Sequence, residues 1–177
     1  MMTKIFIINF AGQASPAMIN QLAKTTHDHD GKWLITKISY LDNQVSGLIK
    51  ISIPDDNVET VKQAFRDQPD LCVYFADSSI NVQGENKNTY SLRIDADDRN
   101  GIMKDISNTL EAEHGQILDI ESNRVFLADS LGVSSSMFSS HLTVKLPTAT
   151  NVQDVISELE TMGLKAWLPN TDAQLKS

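Results

Sequence analysis

An internal repeat limits what this chain can fold into. The run FIINFAGQASPAMINQLAKTTHDHDGKWL (6–34) aligns without gaps with YSLRIDADDRNGIMKDISNTLEAEHGQIL (90–118). Few residues are identical, but the apolar positions coincide, and Gly31 falls on Gly115, 84 positions later. A repeat of this kind indicates that one structural unit occurs twice. The chain is therefore expected to form two similar domains.

Each copy shows the same order of predicted elements. In the second copy, residues 90–96 alternate between apolar and polar, which is typical of a strand with one buried face. Residues 100–114 repeat apolar side chains at helical spacing, and Gly115 is expected to end that helix in a left-handed conformation. Two further strands, a helix from Val152 and a short strand at 165–168 complete the copy.

The first copy repeats this order, with strands predicted at 4–10, 33–41, 46–53 and 71–76 and helices at 15–30 and 57–67. Two right-handed crossovers on an antiparallel sheet place both helices on one face, which is the ferredoxin-like arrangement of an α+β fold. This fold serves many functions and does not decide between them. The predicted organisation is a first domain at 1–79, a linker at 80–88, a second domain at 89–170 and a tail at 171–177.

Composition excludes several classes of protein. The net charge is -8 and the sequence pI is about 4.8, and the Lys and Arg residues are scattered singly rather than clustered. Such a chain is expected to repel nucleic acid, so no direct DNA binding is predicted. No apolar run reaches the length of a membrane span or of a signal peptide. A single cysteine, Cys72, excludes an internal disulfide and fits a reducing compartment, so a cytoplasmic protein is expected.

The chain has few candidates for catalysis or metal binding. His27 and His29 alternate with aspartates, but residues two apart on a helix do not share a face, so no metal site is predicted. Asp97 and Asp98 are adjacent on a predicted turn, where both carboxylates would be solvated and ionised. The Ser-rich run 130–140 is expected to be a connector, and a minority of such loops close over a ligand. No catalytic residue and no cofactor are predicted.

The run DADDRNGIMKDI (95–106) places charges, an amide and a glycine where a strand hands over to a helix. One interpretation is a turn that offers backbone amides to a small ligand, because Gly101 allows close approach and helix N-terminal amides receive carboxylates. The other is an ordinary turn in which Asn100 caps the helix. The residues alone leave both open.

In its β-α-β-β-α-β context, DRNGI (98–102) resembles the first turn of the ACT domain family, in which proline is common at the position of Asn100. In that family the turn binds a small effector, commonly an amino acid. The first copy has ASPAM (14–18) at this place and lacks the Asp, Arg and Gly, so its turn is expected to be degenerate. The resemblance implies an effector site in the second copy, formed by Asp98, Arg99, Asn100, Gly101, Ile102 and Met103.

Two such units that cover nearly the whole chain, without a catalytic domain, resemble the glycine cleavage system transcriptional repressor family. The resemblance implies a regulator that senses an amino acid, with glycine as the first candidate, and acts through a LysR-type transcriptional activator. It also implies a homodimer formed through sheet edges. An allosteric amino-acid-binding subunit of a metabolic enzyme is the alternative. An enzyme that uses the aspartates of the turn is a third, which would require turnover by the isolated chain.

Overall fold

The computed structural model describes residues 2–78, 87–130 and 132–169. The chain divides into two compact units, Met1–Gln83 and Gly84–Ser177. Each unit has the β-α-β-β-α-β order, so the prediction of two ferredoxin-like domains of α+β class is confirmed. The predicted linker falls largely, and the predicted tail wholly, outside the described residues, and the predicted domain limits stay a prediction.

In the first unit the strands are β1 (Thr3–Gly12), β2 (Lys32–Leu41), β3 (Gln44–Pro54) and β4 (Leu71–Asp77), and the helices are α1 (Pro16–Asp28) and α2 (Val58–Arg66). The strands form one antiparallel sheet in the order β2-β3-β1-β4. Alternation along β1 directs Phe6, Ile8 and Phe10 towards the core. These side chains pack with the apolar faces of both helices, which contribute Leu22 and Phe65 among others.

In the second unit the strands are β5 (Lys87–Asp97), β6 (Gln116–Asp129), β7 (Gly132–Pro147) and β8 (Lys165–Trp167), and the helices are α3 (Ile102–Ala112) and α4 (Val152–Thr161). The sheet order is β6-β7-β5-β8, which corresponds strand by strand to the first unit. Leu92 and Ile94 on β5 pack with Ile106 of α3 and Leu159 of α4 in a separate core. The helices of each unit therefore cover one face of its sheet and leave the other face uncovered.

The prediction of a Ser-rich connector at 130–140 is wrong, because this segment lies almost entirely in strand β7. The β6–β7 hairpin is also longer than its counterpart: β6 and β7 have 14 and 16 residues, against 10 and 11 in β2 and β3. Ser140 hid the strand pattern, since it is buried at a position where alternation calls for an apolar side chain. Its hydroxyl donates to the backbone oxygen of Glu121 at 3.1 Å, which satisfies the buried polar group.

The two repeated glycines end their helices differently from the prediction. The left-handed residues are Asp30 (φ 59°) and His114 (φ 53°), each one position before the glycine. Gly31 N–H donates to Thr26 O at 2.9 Å, and Gly115 N–H closes the same six-residue loop at the end of α3. This is a Schellman-type end in both copies, displaced by one residue from the predicted position.

Close packing explains why glycine occupies these two positions. A Cβ on Gly31 would lie 2.6 Å from Thr26 Cγ2 and 2.8 Å from the backbone oxygen of Thr26. A Cβ on Gly115 would lie 2.7 Å from Leu146 Cδ2, the end of a side chain that can move, and 3.1 Å from Leu110 O. Backbone cannot yield as a side-chain methyl can, so the two sites tolerate a side chain unequally.

Both substitutions, Gly31→Ala and Gly115→Ala, are therefore expected to destabilise their units by about 1–3 kcal/mol, with the larger loss at Gly31. Urea unfolding of the two variants and the wild type, followed by circular dichroism, measures the difference. Because the two positions are equivalent in the repeat, each variant is the matched control of the other. A larger loss in Gly115→Ala would contradict this account of the packing.

Candidate functional site

The turn between β5 and α3 is the candidate site. Strand β5 ends at Asp97 and helix α3 begins at Ile102, with Gly101 as the helix N-cap at φ 87° and ψ 0°. This left-handed conformation favours glycine. A Cβ at this position would meet no atom of the described residues within 4 Å, so the side of the turn at Gly101 is open. The predicted glycine is thus required by the backbone conformation and not by crowding.

Asp98 fastens the turn to the long β6–β7 hairpin. Arg124 Nε donates to both carboxylate oxygens of Asp98 at 3.0 Å, and Ser136 Oγ donates to Oδ2 at 3.1 Å. The backbone N–H of Asp98 donates to Ser136 O at 3.0 Å. The side chain of Asp98 is only 18% exposed. Its carboxylate is therefore committed to the protein, in contrast to the solvated turn carboxylate expected from the sequence.

Arg99 connects the same turn to both helices of the unit. Its Nη2 donates to Asp105 Oδ2 at 2.6 Å, in the first turn of α3, and to the backbone oxygen of Met162 at 3.3 Å. Its Nη1 donates to Asn100 O at 3.2 Å. Met162 is the C-cap of α4, and a cation suits the negative end of a helix dipole. Arg99 therefore holds the turn in place from the side opposite Asp98.

The other predicted site residues divide between core and solvent. Ile102 is 3% exposed and packs in the core, whereas Met103 is 37% exposed. Asn100 is exposed, and no side-chain hydrogen bond caps α3. The prediction that Asn100 caps this helix is wrong, because Gly101 occupies the N-cap position and Asn100 lies one residue too early. The first amides of α3 are left without a side-chain cap.

The first unit differs at the equivalent turn. Ser15 is the N-cap of α1, and its side chain accepts a hydrogen bond from Met18 N at 3.2 Å. Pro16 follows at the first helical position, where its missing N–H costs nothing. The start of α1 is thus satisfied within the chain, and that of α3 is not.

A small cavity of about 100 Å³ lies beside the site, where β5 ends. This cavity lies between the end of β5, the start of β8 and Gly163, which follows α4. Charged groups of both signs line it together with apolar ones: Asp95, Ala96, Asp97, Met137, Gly163 and Lys165.

Sequence reasoning missed Arg124 and Ser136, the two side chains that hold Asp98. Both lie on the hairpin formed by β6 and β7, and the first part of β7 was predicted to be a connector. The sequence held one indication: the polar segment 130–140 is longer than the turn at the same place in the first copy, so its extra residues require contacts of their own. The cross-strand register that brings Arg124 opposite Phe138, near the end of β5, cannot be read from the residues alone.

The remaining candidates serve local roles. His29 Nδ1 is 2.8 Å from the backbone oxygen of Thr25 in its own helix, and His27 is exposed. In the described ranges no three His, Cys, Asp or Glu side chains are grouped so that they could hold a metal ion. Cys72 lies on β4 and is exposed. No helix in the described part of the chain is both long and apolar enough to cross a membrane.

Comparison with known proteins places the fold. No family model and no curated protein matches the sequence. An unknown protein from Galdieria sulphuraria superposes with a TM-score of 0.79 at 15% identity, over 94% of this chain and 98% of that one. A protein proposed to be a glycine cleavage system transcriptional repressor superposes with a TM-score of 0.64 at 14% identity, over 96% of this chain and 98% of that one.

The chain has the fold of a tandem ACT protein. Both superpositions span nearly all of each chain, so the likeness covers both units. At these identities the likeness concerns the fold. The resemblance drawn from the DRNGI turn is confirmed at that level.

The role of Asp98 as an anchor can be tested against its neighbour. Asp98→Ala removes the acceptor of Arg124 and Ser136 and is expected to cost about 1–3 kcal/mol of unfolding free energy. Asp97→Ala is the matched control: Asp97 is exposed and has no side-chain partner within the described residues, so its loss should cost less than about 0.5 kcal/mol. Urea unfolding measures both. Equal effects would show that Asp98 does not anchor the turn.

Proposed function

We propose that this protein is a regulator that binds a small amino acid, with glycine as the first candidate, at the turn formed by residues 98–103. One observation carries the proposal. The helix start at Gly101 is left-handed, open and without a side-chain cap, whereas the equivalent start in the first unit is capped by Ser15. The tandem ACT fold provides the context in which such a turn is a binding site.

The backbone amides at the start of α3 would receive the effector carboxylate. The first N–H groups of a helix have no acceptor inside the helix, and they lie at the positive end of the helix dipole. Gly101 has no side chain to obstruct an approaching carboxylate, and the exposed Met103 would lie next to it.

Asp98 and Arg99 take a different part in this proposal from the one the resemblance implies. Their charges are used by Arg124 and Asp105, respectively, so they would position the turn and would not bind the effector. The binding groups would be backbone amides from Gly101 onward. Because the charges of Asp98 and Arg99 are paired within the protein, the turn would be stable without a ligand. Its backbone amides would remain available for a carboxylate.

The regulatory output would pass through a protein partner. A net charge of -8 opposes contact with DNA phosphates, so control of glycine cleavage genes would run through a LysR-type activator in the cytoplasm. Support comes from the neighbour proposed to be a glycine cleavage system transcriptional repressor. A homodimer through sheet edges is part of the same proposal, with β2 and β6 as edge strands of the two sheets. Regulation, not catalysis, is the proposed activity.

Two variants test the effector turn. Gly101→Val places a branched side chain at a left-handed position and is expected to abolish glycine binding, at a cost of about 1–3 kcal/mol in stability. Met103→Asp separates binding from strain, since a carboxylate in the first turn of α3 suits the helix dipole but repels an incoming carboxylate. It should therefore remain folded and lose binding. Calorimetric titration with glycine measures both.

Ala17→Val is the matched control, because Ala17 is exposed at the equivalent position of α1 and that helix is already capped. It should leave glycine binding unchanged. Retention of binding in Met103→Asp, or equal loss in Ala17→Val, would contradict the proposal. Co-purification of a LysR-type activator would support the transcriptional output, and recovery of a metabolic enzyme would support the alternative subunit role.

A further inference from the structure

The uncovered face of the second sheet carries a set of polar side chains that the effector turn does not use. The pairing of β6, β7, β5 and β8 aligns them in two neighbouring rows across the sheet. The first row is Glu121, His141, Arg93 and Trp167, and the second is Asn123, Ser139, Asp95 and Lys165. The residues between the rows, which include Ile94 and Ser140, face the core. A cavity of about 240 Å³ lies over these rows.

Opposite charges face this cavity without meeting. Arg93 and Glu121 both line it, and both are exposed. Within the described residues neither side chain has a hydrogen-bond or ion-pair partner. They stand on strands separated by β7, so their backbones are about 10 Å apart. A cation and an anion, both unpaired in the described part of the chain, therefore line the same open cavity from strands that are not neighbours.

Two short hydrogen bonds fix the floor of the cleft. Ser91 Oγ lies 2.6 Å from His141 Nε2, and Ser139 Oγ donates to Asp95 Oδ1 at 2.6 Å. His141 lies between Arg93 and Glu121 in the pairing, and the first bond turns its imidazole towards Ser91, in the adjacent row. The bond from Ser139 occupies one carboxylate oxygen of Asp95, which lies in the row next to that of Arg93. The polar floor is thus fixed, while the two charged groups above it remain available.

The first unit carries a different set of side chains on the same sheet face. At the corresponding pairing positions, Asn9 stands for Arg93, Leu48 for His141 and Lys37 for Glu121. Its cavity of about 390 Å³ on this face is lined by residues without a charge, among them Asn9, Ser46 and Tyr74. Opposite charges at the two ends of this row therefore occur in the second unit and not in the first.

We propose that this cleft of the second unit binds a small zwitterion whose carboxylate and ammonium groups lie at opposite ends of a short chain. The planar guanidinium of Arg93 matches a carboxylate with two parallel hydrogen bonds. The carboxylate of Glu121 receives the ammonium, and His141 lies beneath the chain that joins them. With the backbones of Arg93 and Glu121 about 10 Å apart, a ligand whose two charges are several bonds apart fits the row better than an α-amino acid such as glycine. The cleft therefore selects a different ligand from the effector turn.

The test uses the full chain and 4-aminobutyrate as the probe, with butyrate and butylamine as singly charged controls. In titrations followed by ¹⁵N NMR, 4-aminobutyrate is expected to shift the amides of Arg93, Glu121 and His141. Its affinity should exceed that of either control by about tenfold or more, since each control lacks one of the two ionic contacts. No shift at these amides, or equal affinity for butyrate, would overturn the proposal.

Variants assign the two ends of the probe. Arg93→Ala and Glu121→Gln should each weaken 4-aminobutyrate binding about tenfold, and Glu121→Gln should leave butyrate unaffected. Asn9→Ala is the matched control from the first unit and should change nothing. Met103→Asp should also leave this binding intact, which separates the cleft from the effector turn. Equal weakening by Asn9→Ala would overturn the assignment.

Discussion

The carboxylate of Asp98 joins the turn before α3 to the long β6–β7 hairpin. The geometry of the candidate site depends on that contact. Arg124 and Ser136 reach it from two different strands. A part-buried carboxylate that accepts several hydrogen bonds is costly to leave unpaired. The turn is therefore held on one side by Asp98 and on the other by Arg99, whose guanidinium reaches both α3 and the end of α4. Between these two anchors, Gly101 holds its left-handed conformation and the helix start stays open.

The two units share a plan but have diverged in what they expose. In the first, Ser15 satisfies the helix start, and the uncovered sheet face carries Asn9, Leu48 and the cationic Lys37 and Lys50. In the second, the helix start lacks a side-chain cap, the hairpin is extended, and side chains of both charges occupy the sheet face. Such divergence is typical when one copy of a duplicated fold serves mainly as scaffold, since function resides in sites and not in the fold. The account assigns the ligand chemistry to the second unit.

The sequence predicted the fold well because its signals were periodic. Alternation along β1 and β5, helical spacing in all four helices and the shared glycines each reflect burial on one face, which the core confirms. The prediction failed where a polar side chain is buried in the core. Ser140 is polar yet buried, so the first part of β7 was predicted to be a connector, and the contact of Ser136 with Asp98 was missed. The helix-ending glycines were recognised, but for the wrong reason, because their role depends on contacts with Thr26 and Leu146.

The central claim is that backbone amides at the start of α3 bind an amino-acid carboxylate. The most direct measurement is a ¹⁵N NMR titration of the full chain with glycine, observing the amides of both helix starts in one sample. Saturable shifts are expected at Gly101, Ile102 and Met103, with no comparable shift at Ala17 and Met18. Equal shifts at both helix starts, or none at Gly101 to Met103 with saturable shifts elsewhere, would contradict it.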